Sequence, residues 1–244
     1  KDRKNGFFGF AGHGDAVDLG GRRHGIPRRR TGGAPRGDGF LRHRLVHEGA
    51  VGVVFGKRTG DRRGLERLEL HHISVKGIIE LFEEKSDVKA IAGRDFTNPH
   101  KNLIEDSGPL AWRVPQVKSD PALNKWFVRF IVLKESREII GSTSFHGAPD
   151  NEGMIEIGLG IEPAFQGKGY AKESLQAMWS WAINSPEVRT LRYTVSPDNL
   201  PSIAVIKYFG FDYKGQQMDD IDGPEDIYEI NAVEFSKRWG RNDR

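Results

Sequence analysis

Hydrophobic and polar positions divide the chain near Leu65. Downstream of it, "LERLELHHIS" (Leu65–Ser74) reads as a strand. "VKGIIELFEEKSD" (Val75–Asp87) places Val75, Ile78, Ile79 and Leu81–Phe82 at helical spacing. A long, proline-containing region follows, from about Ile91 to Asn124. "KWFVRFIVLKE" (Lys125–Glu135) and "REIIGSTSF" (Arg137–Phe145) read as an antiparallel hairpin. A loop, "GAPDNEG" (Gly147–Gly153), then leads to the strand "MIEIGLGIE" (Met154–Glu162). "GYAKESLQAMWSWAINS" (Gly169–Ser185) aligns Ala171, Leu175, Met178 and Ala182 on one helical face. "LRYTVS" (Leu191–Ser196) is a short strand. In "PDNLPSIAVIKYFGF" (Pro197–Phe211), Asn199 is a candidate N-cap, Pro201 sits in the first turn and Gly210 stops the helix. Two last strands are predicted around Phe211–Lys214 and Ile227–Val233. The order β-α-β-β-β-α-β-α-β-β is that of an α+β domain with a mixed sheet flanked by helices.

Residues 1–64 lack this patterning. They hold 16 of the 30 glycines, and "GGRRHGIPRRRTGGAPRGDG" (Gly20–Gly39) has almost nothing to bury against its ordering entropy. Only "GAVGVVFG" (Gly49–Gly56) looks strand-like. The segment is expected to be a basic, disordered arm, with the domain spanning residues 65–244. A contact with nucleic acid through the arm is the alternative. The chain opens on Lys1, which leaves the natural N-terminus open.

Charge sharpens this division. The formal net charge is +3, but residues 1–64 carry +9 and the remainder −6, so the apparently basic protein is an acidic domain with a basic arm. There is no cysteine, which removes disulfides, cysteine-ligated zinc and a cysteine acyl-enzyme from consideration. No apolar run reaches membrane-spanning length, and the apolar patch near the start is too short and glycine-rich for a signal peptide. A soluble, cytoplasmic protein is expected, either monomer or homodimer.

The chemistry concentrates in "IEPAFQGKGYAKESL" (Ile161–Leu175). In the strand before it, Ile155, Ile157, Leu159 and Ile161 point to one face, and Met154, Glu156, Gly158 and Gly160 to the other. One face is core. The other resembles a ligand floor bearing a single carboxylate. The turn Gln166–Ala171 is placed to aim backbone N–H groups at an anion above a helix N-terminus, with Lys168 and Lys172 at the same end. Neither GxxxxGK[ST] nor GxGxxG fits, so P-loop and Rossmann readings fail.

"QGKGYA" (Gln166–Ala171) matches the [QR]-x-x-G-x-[GA] pyrophosphate-binding motif of the GNAT N-acetyltransferases. The run Glu156–Ala182 and the N-x-x-S…G-F signature at Asn199, Ser202, Gly210 and Phe211 resemble the branch containing the ribosomal-protein N-terminal acetyltransferases. The resemblance covers roughly Leu65–Val233. It implies that the anion is the pyrophosphate of acetyl-CoA, held by Ile161, Gln166, Gly167, Lys168, Gly169, Tyr170 and Ala171, with Asn199 meeting the pantetheine arm. It further implies acetyl transfer to an amine, with Glu156 as the base or as a residue that orders the sheet. Ser202 would be either the donor to the departing thiolate or a helix-start serine bonded to its own backbone. Many relatives place a tyrosine acid four residues before the glycine of this signature, where Ile206 stands here. Tyr208 lies two residues on and would point elsewhere.

The acceptor would be a protein N-terminus or a small-molecule amine. Residues 98–125, with Trp112, Arg113 and Trp126 nearby, are expected to wall its site, and "DDIDGPED" (Asp219–Asp226) either borders it or is a solvated hairpin loop. No metal is needed, so His71–His72 simply ends the first strand. The rival reading is a non-catalytic acyl-CoA-binding regulatory module whose arm contacts nucleic acid.

Overall fold

A computed structural model describes residues 65–219 and 223–240. The predicted arm, residues 1–64, lies outside the described residues.

Strand β1 (Leu68–His72) leads into helix α1 (Val75–Glu83). Ser74 caps that helix by accepting from the Gly77 N–H at 3.1 Å. Gly77 is needed for another reason. A Cβ there would stand 2.8 Å from the Ala90 Cα, so only glycine lets the following segment lie against α1. Helix α2 (Leu110–Ser119) was not expected from the sequence, because Pro115 sits inside it and removes one backbone donor. Burial of Leu110, Arg113, Val114 and Val117 on one face overrides that defect. Residues Lys125 and Trp126, assigned above to a strand, instead close a 3-10 turn (Pro121–Trp126).

Strands β2 (Arg129–Leu133), β3 (Glu138–Phe145) and β4 (Met154–Ile161) then run antiparallel. Helix α3 (Tyr170–Ala182) crosses to β5 (Thr190–Val195), and α4 (Leu200–Phe209) leads to β6 (Asp212–Asp219) and β7 (Gly223–Asn231). The last strands are longer than expected. A final helix, α5 (Ala232–Trp239), replaces the predicted end of β7, because Asn231 caps it through the Val233 N–H at 2.9 Å.

The seven strands form one sheet in the order β1-β2-β3-β4-β5-β7-β6. Every pairing is antiparallel except β4 with β5. The fold is therefore α+β, with a mixed, mostly antiparallel sheet flanked by helices. On one face, Leu175, Met178, Trp179 and Ala182 of α3 are buried. Trp179 also meets Tyr193, Phe209, Phe211 and Phe235, which joins α3, α4 and α5 into one aromatic core. Among the described residues, no helix is long and apolar enough to cross a membrane.

Candidate active site

The single parallel pairing is short. Strands β4 and β5 are in register only across Met154–Glu156 and Thr190–Arg192. Beyond it, β4 continues to Ile161 against β3, and β5 continues to Val195 against β7. The two facing edges part, and their backbone groups are left without strand partners.

The glycine turn closes the wide end of this gap. Gln166 Nε2 donates to the Ile161 carbonyl at 2.8 Å and folds the turn back on β4. Gly167 (φ 74°) and Gly169 (φ 83°) are both left-handed, a conformation that costs a side chain about 1–2 kcal/mol. Helix α3 begins at Gly169 with no side-chain cap. The backbone N–H groups of Lys168, Gly169, Tyr170, Ala171 and Lys172 find no acceptor among the described residues. Lys168 and Lys172 do sit at this end, but their ammonium groups rest on the rings of Phe165 (5.2 Å) and Tyr208 (4.1 Å).

Arg67, from the residue before β1, fixes the turn from outside. Its Nη1 donates to the Lys168 carbonyl at 2.8 Å, its Nε to Glu173 Oε2 at 2.9 Å, and its guanidinium covers Tyr170 at 4.5 Å. Glu173 Oε1 also accepts from the backbone N–H groups of Arg67 and Leu68, at 2.8 and 3.1 Å.

Glu156 lies where the gap begins. Its Oε1 accepts from Thr194 Oγ1 at 2.5 Å and lies 3.3 Å from His146 Nδ1, while Oε2 makes no hydrogen bond among the described residues. The side chain is 13% exposed. Arg113 of α2 supplies positive charge on this face. It is buried against the Phe127 ring (5.5 Å) without a salt bridge among the described residues; its Nη1 bonds Gln116 at 3.1 Å, and its Nε and Nη2 make no hydrogen bond among those residues. Burial pulls this guanidinium down to about 10, opposed by the negative charge of Glu156.

Ser202 approaches from the other face, in the first turn of α4. Asn199 accepts from its N–H at 3.2 Å, as the capping expectation required. Its side chain lies close to the hydroxyl of Tyr193, a buried residue of β5. Burial pushes Tyr193 up to about 12, and the nearby Ser202 side chain opposes that rise. The site thus has a tyrosine hydroxyl beside Ser202, supplied by β5 rather than by the helix turn in which Ile206 is buried core.

Other expectations change. Trp126 is buried against Phe145 and Trp181, so it is core rather than an acceptor wall. Glu225 is a buried strand residue that accepts from Gln217 at 3.0 Å, and Asp226 is bonded by Gln216 at 3.2 Å, whereas residues 220–222 lie outside the described residues. His71 and His72 each bond a backbone carbonyl, of Ala90 (3.0 Å) and Asn124 (2.7 Å). Burial lowers both, His72 to about 4 with help from the Arg129 charge. Among the described residues, no group of three or more His, Asp or Glu is placed to hold a metal ion.

Residues 67–212, more than half of the chain, match the Acetyltransferase (GNAT) domain family. The chain belongs to the GNAT acetyltransferases. This GNAT chain is 38% identical over 81 residues to the uncharacterized N-acetyltransferase YjdG of Bacillus subtilis, covering 33% of this chain and 48% of that protein. It is 30% identical over 105 residues to the uncharacterized N-acetyltransferase p20 of Bacillus licheniformis, covering 43% and 59%. It thus spans about half the length of the curated relatives it matches. Among solved structures, the ribosomal-protein-S5-alanine acetyltransferase from Vibrio fischeri aligns with a TM-score of 0.50 at 16% identity, over 70% of this chain and 96% of that one, a likeness of fold.

Within this GNAT domain, sequence reasoning missed Arg67, Thr194 and Tyr193. Thr194 and Tyr193 carried a usable signal: alternation along β5 puts Thr194 on the side of Arg192, which pairs with Glu156, and Tyr193 on the other. Arg67 carried none, because its role depends on a contact with residues about a hundred positions away.

Proposed function

We propose that the protein is an N-acetyltransferase that moves an acetyl group from acetyl-CoA to a primary amine, by direct attack with both substrates bound. The observation that carries this reading is the unpaired gap between β4 and β5. It has free N–H groups at its wide end and a carboxylate and a hydroxyl on its opposite faces.

The residues fit the donor. Gln166–Ala171 offers backbone N–H groups and a helix N-terminus to a pyrophosphate, and the two left-handed glycines keep side chains out of its way. Bound there, acetyl-CoA supplies an activated thioester. The open β4 edge up to Ile161, and Asn199 opposite, would line its pantetheine arm. Glu156 Oε2 is available to take the proton of an incoming ammonium, while Thr194 and His146 fix Oε1. As the amine nitrogen bonds the carbonyl carbon and the C–S bond breaks, Ser202, with Tyr193 beside it, would return a proton to the sulfur. The absence of cysteine from the sequence supports direct attack over an acyl-enzyme. The acceptor is a protein N-terminus or a small-molecule amine.

Glu156→Gln tests this. Glutamine can still accept from Thr194, so the fold should persist. The expected outcome is a kcat lower by roughly 10²–10⁴ at neutral pH, partly rescued at higher pH, with unchanged acetyl-CoA affinity. Near wild-type kcat would make Glu156 structural. Initial-rate plots should intersect; parallel lines, or an acetylated protein trapped without acceptor, would contradict direct attack.

A further inference from the structure

An anion arriving at the glycine turn meets acidic surroundings. Residues 65–244 carry a net charge of −6. Beside the turn, Gln166 shares a cavity wall with Glu162, Glu105, Asp106 and Lys101, and that lysine is paired with Glu105 at 3.1 Å. The described cations at the turn also have partners. Arg67 is bonded to Glu173 and to the Lys168 carbonyl. Lys168 Nζ donates to the Ala164 carbonyl at 3.0 Å, and the Lys172 ammonium rests on the Tyr208 ring. Acetyl-CoA brings about four negative charges on its phosphates at neutral pH. Against them the helix start offers only the partial charges of its N–H groups.

Further positive charge enters with the chain itself. The Leu65 carbonyl accepts from Lys134 Nζ at 2.6 Å, and the Arg67 N–H donates to Glu173 Oε1 at 2.8 Å. These bonds hold the entry point of the domain beside the turn. Immediately upstream, and outside the described residues, Lys57–Arg63 reads KRTGDRR, four cations against the single carboxylate of Asp61. Covalent geometry keeps the Cα of Arg63 within about 14 Å of that of Arg67, and the Cα of Arg62 within about 18 Å. Only a fully extended chain reaches these limits. Inside them a guanidinium can come within the screening length, about 8 Å at physiological salt, of an anion on the turn. The tether fixes this proximity at any protein concentration, which favours a ligand of the turn over a free polyanion in solution.

We propose that the basic run Lys57–Arg63 is the electrostatic part of the donor site: it draws the phosphates of acetyl-CoA to the turn and offsets the acidity of the domain. This rests on the donor reading above. It gives the basic arm a role in the acetyl-transfer site itself.

The test measures acetyl-CoA binding to the full chain by calorimetry at 0.05 and 0.5 M NaCl. Arg58→Gln, Arg62→Gln and Arg63→Gln, combined in one variant, should weaken binding by about 10-fold at the lower salt. At the higher salt, where the screening length falls to about 4 Å, the difference should shrink to less than about 2-fold. The same three positions changed to Lys keep the charge, and affinity should stay within about 2-fold of the wild type at both salts. Equal affinity of the wild type and the Gln variant at low salt overturns the inference. So does an equal loss in the Lys variant, or a loss that persists at 0.5 M. In each of these cases the wild type still binds, and the donor reading stands. No binding of acetyl-CoA by the wild type at either salt overturns the donor reading as well.

Discussion

Two helices begin beside the same gap and begin differently. Helix α4 closes its own start: Asn199 accepts from the Ser202 N–H, and proline at position 201 removes another donor. Helix α3 starts on a glycine with no side chain to offer, and its first N–H groups stay open. A fold that caps one helix and leaves its neighbour bare has reserved the bare one for something that arrives later. The difference separates a structural helix start, which positions Ser202, from a binding one, which meets the donor.

Filling the open start should have the largest effect. Gly169→Glu puts a side chain at φ 83° and a negative charge where the pyrophosphate must sit, with its Cβ 3.4 Å from Arg67 Nη2. Acetyl-CoA affinity should fall by at least about 100-fold by calorimetry, with helix content retained. Unchanged affinity would remove the turn from the site. Loosening the same start from outside should matter less. Arg67→Met deletes the bonds to Lys168 and Glu173 and should weaken acetyl-CoA by about 10-fold, roughly one charged hydrogen bond. No change would mean that the glycines hold the turn unaided. Uncapping the closed start should matter least for binding. Asn199→Ala should cost about 1 kcal/mol in denaturant unfolding and weaken acetyl-CoA by only about 3-fold, the loss of one contact to its pantetheine arm. Abolished binding with full stability would reverse the roles of the two helices.

The same contrast separates what was legible in the sequence from what was not. The α4 cap, the glycine turn, the α3 core face and the alternation of β4 are local patterns, and the structure has each of them. Helix α2 was hidden because Pro115 contradicts it locally and burial decides it. Helix α5 was hidden because Asn231 is at once the last strand residue and the cap. The neighbours of Glu156 were only half visible. His146 follows from the hairpin register, whereas Arg113 arrives from a helix that the sequence did not announce.

The tie between Arg67 and Glu173 joins residues 106 positions apart. Closing so long a loop carries an entropic cost that must be met before the contact returns anything. The Arg67 clamp on the turn therefore forms only once β1 has docked beside α3. Until then the glycine turn lacks its outside brace, and its seat for an anion is looser. A donor that binds the braced turn should stabilise, by mass action, molecules in which β1 and α3 have already met.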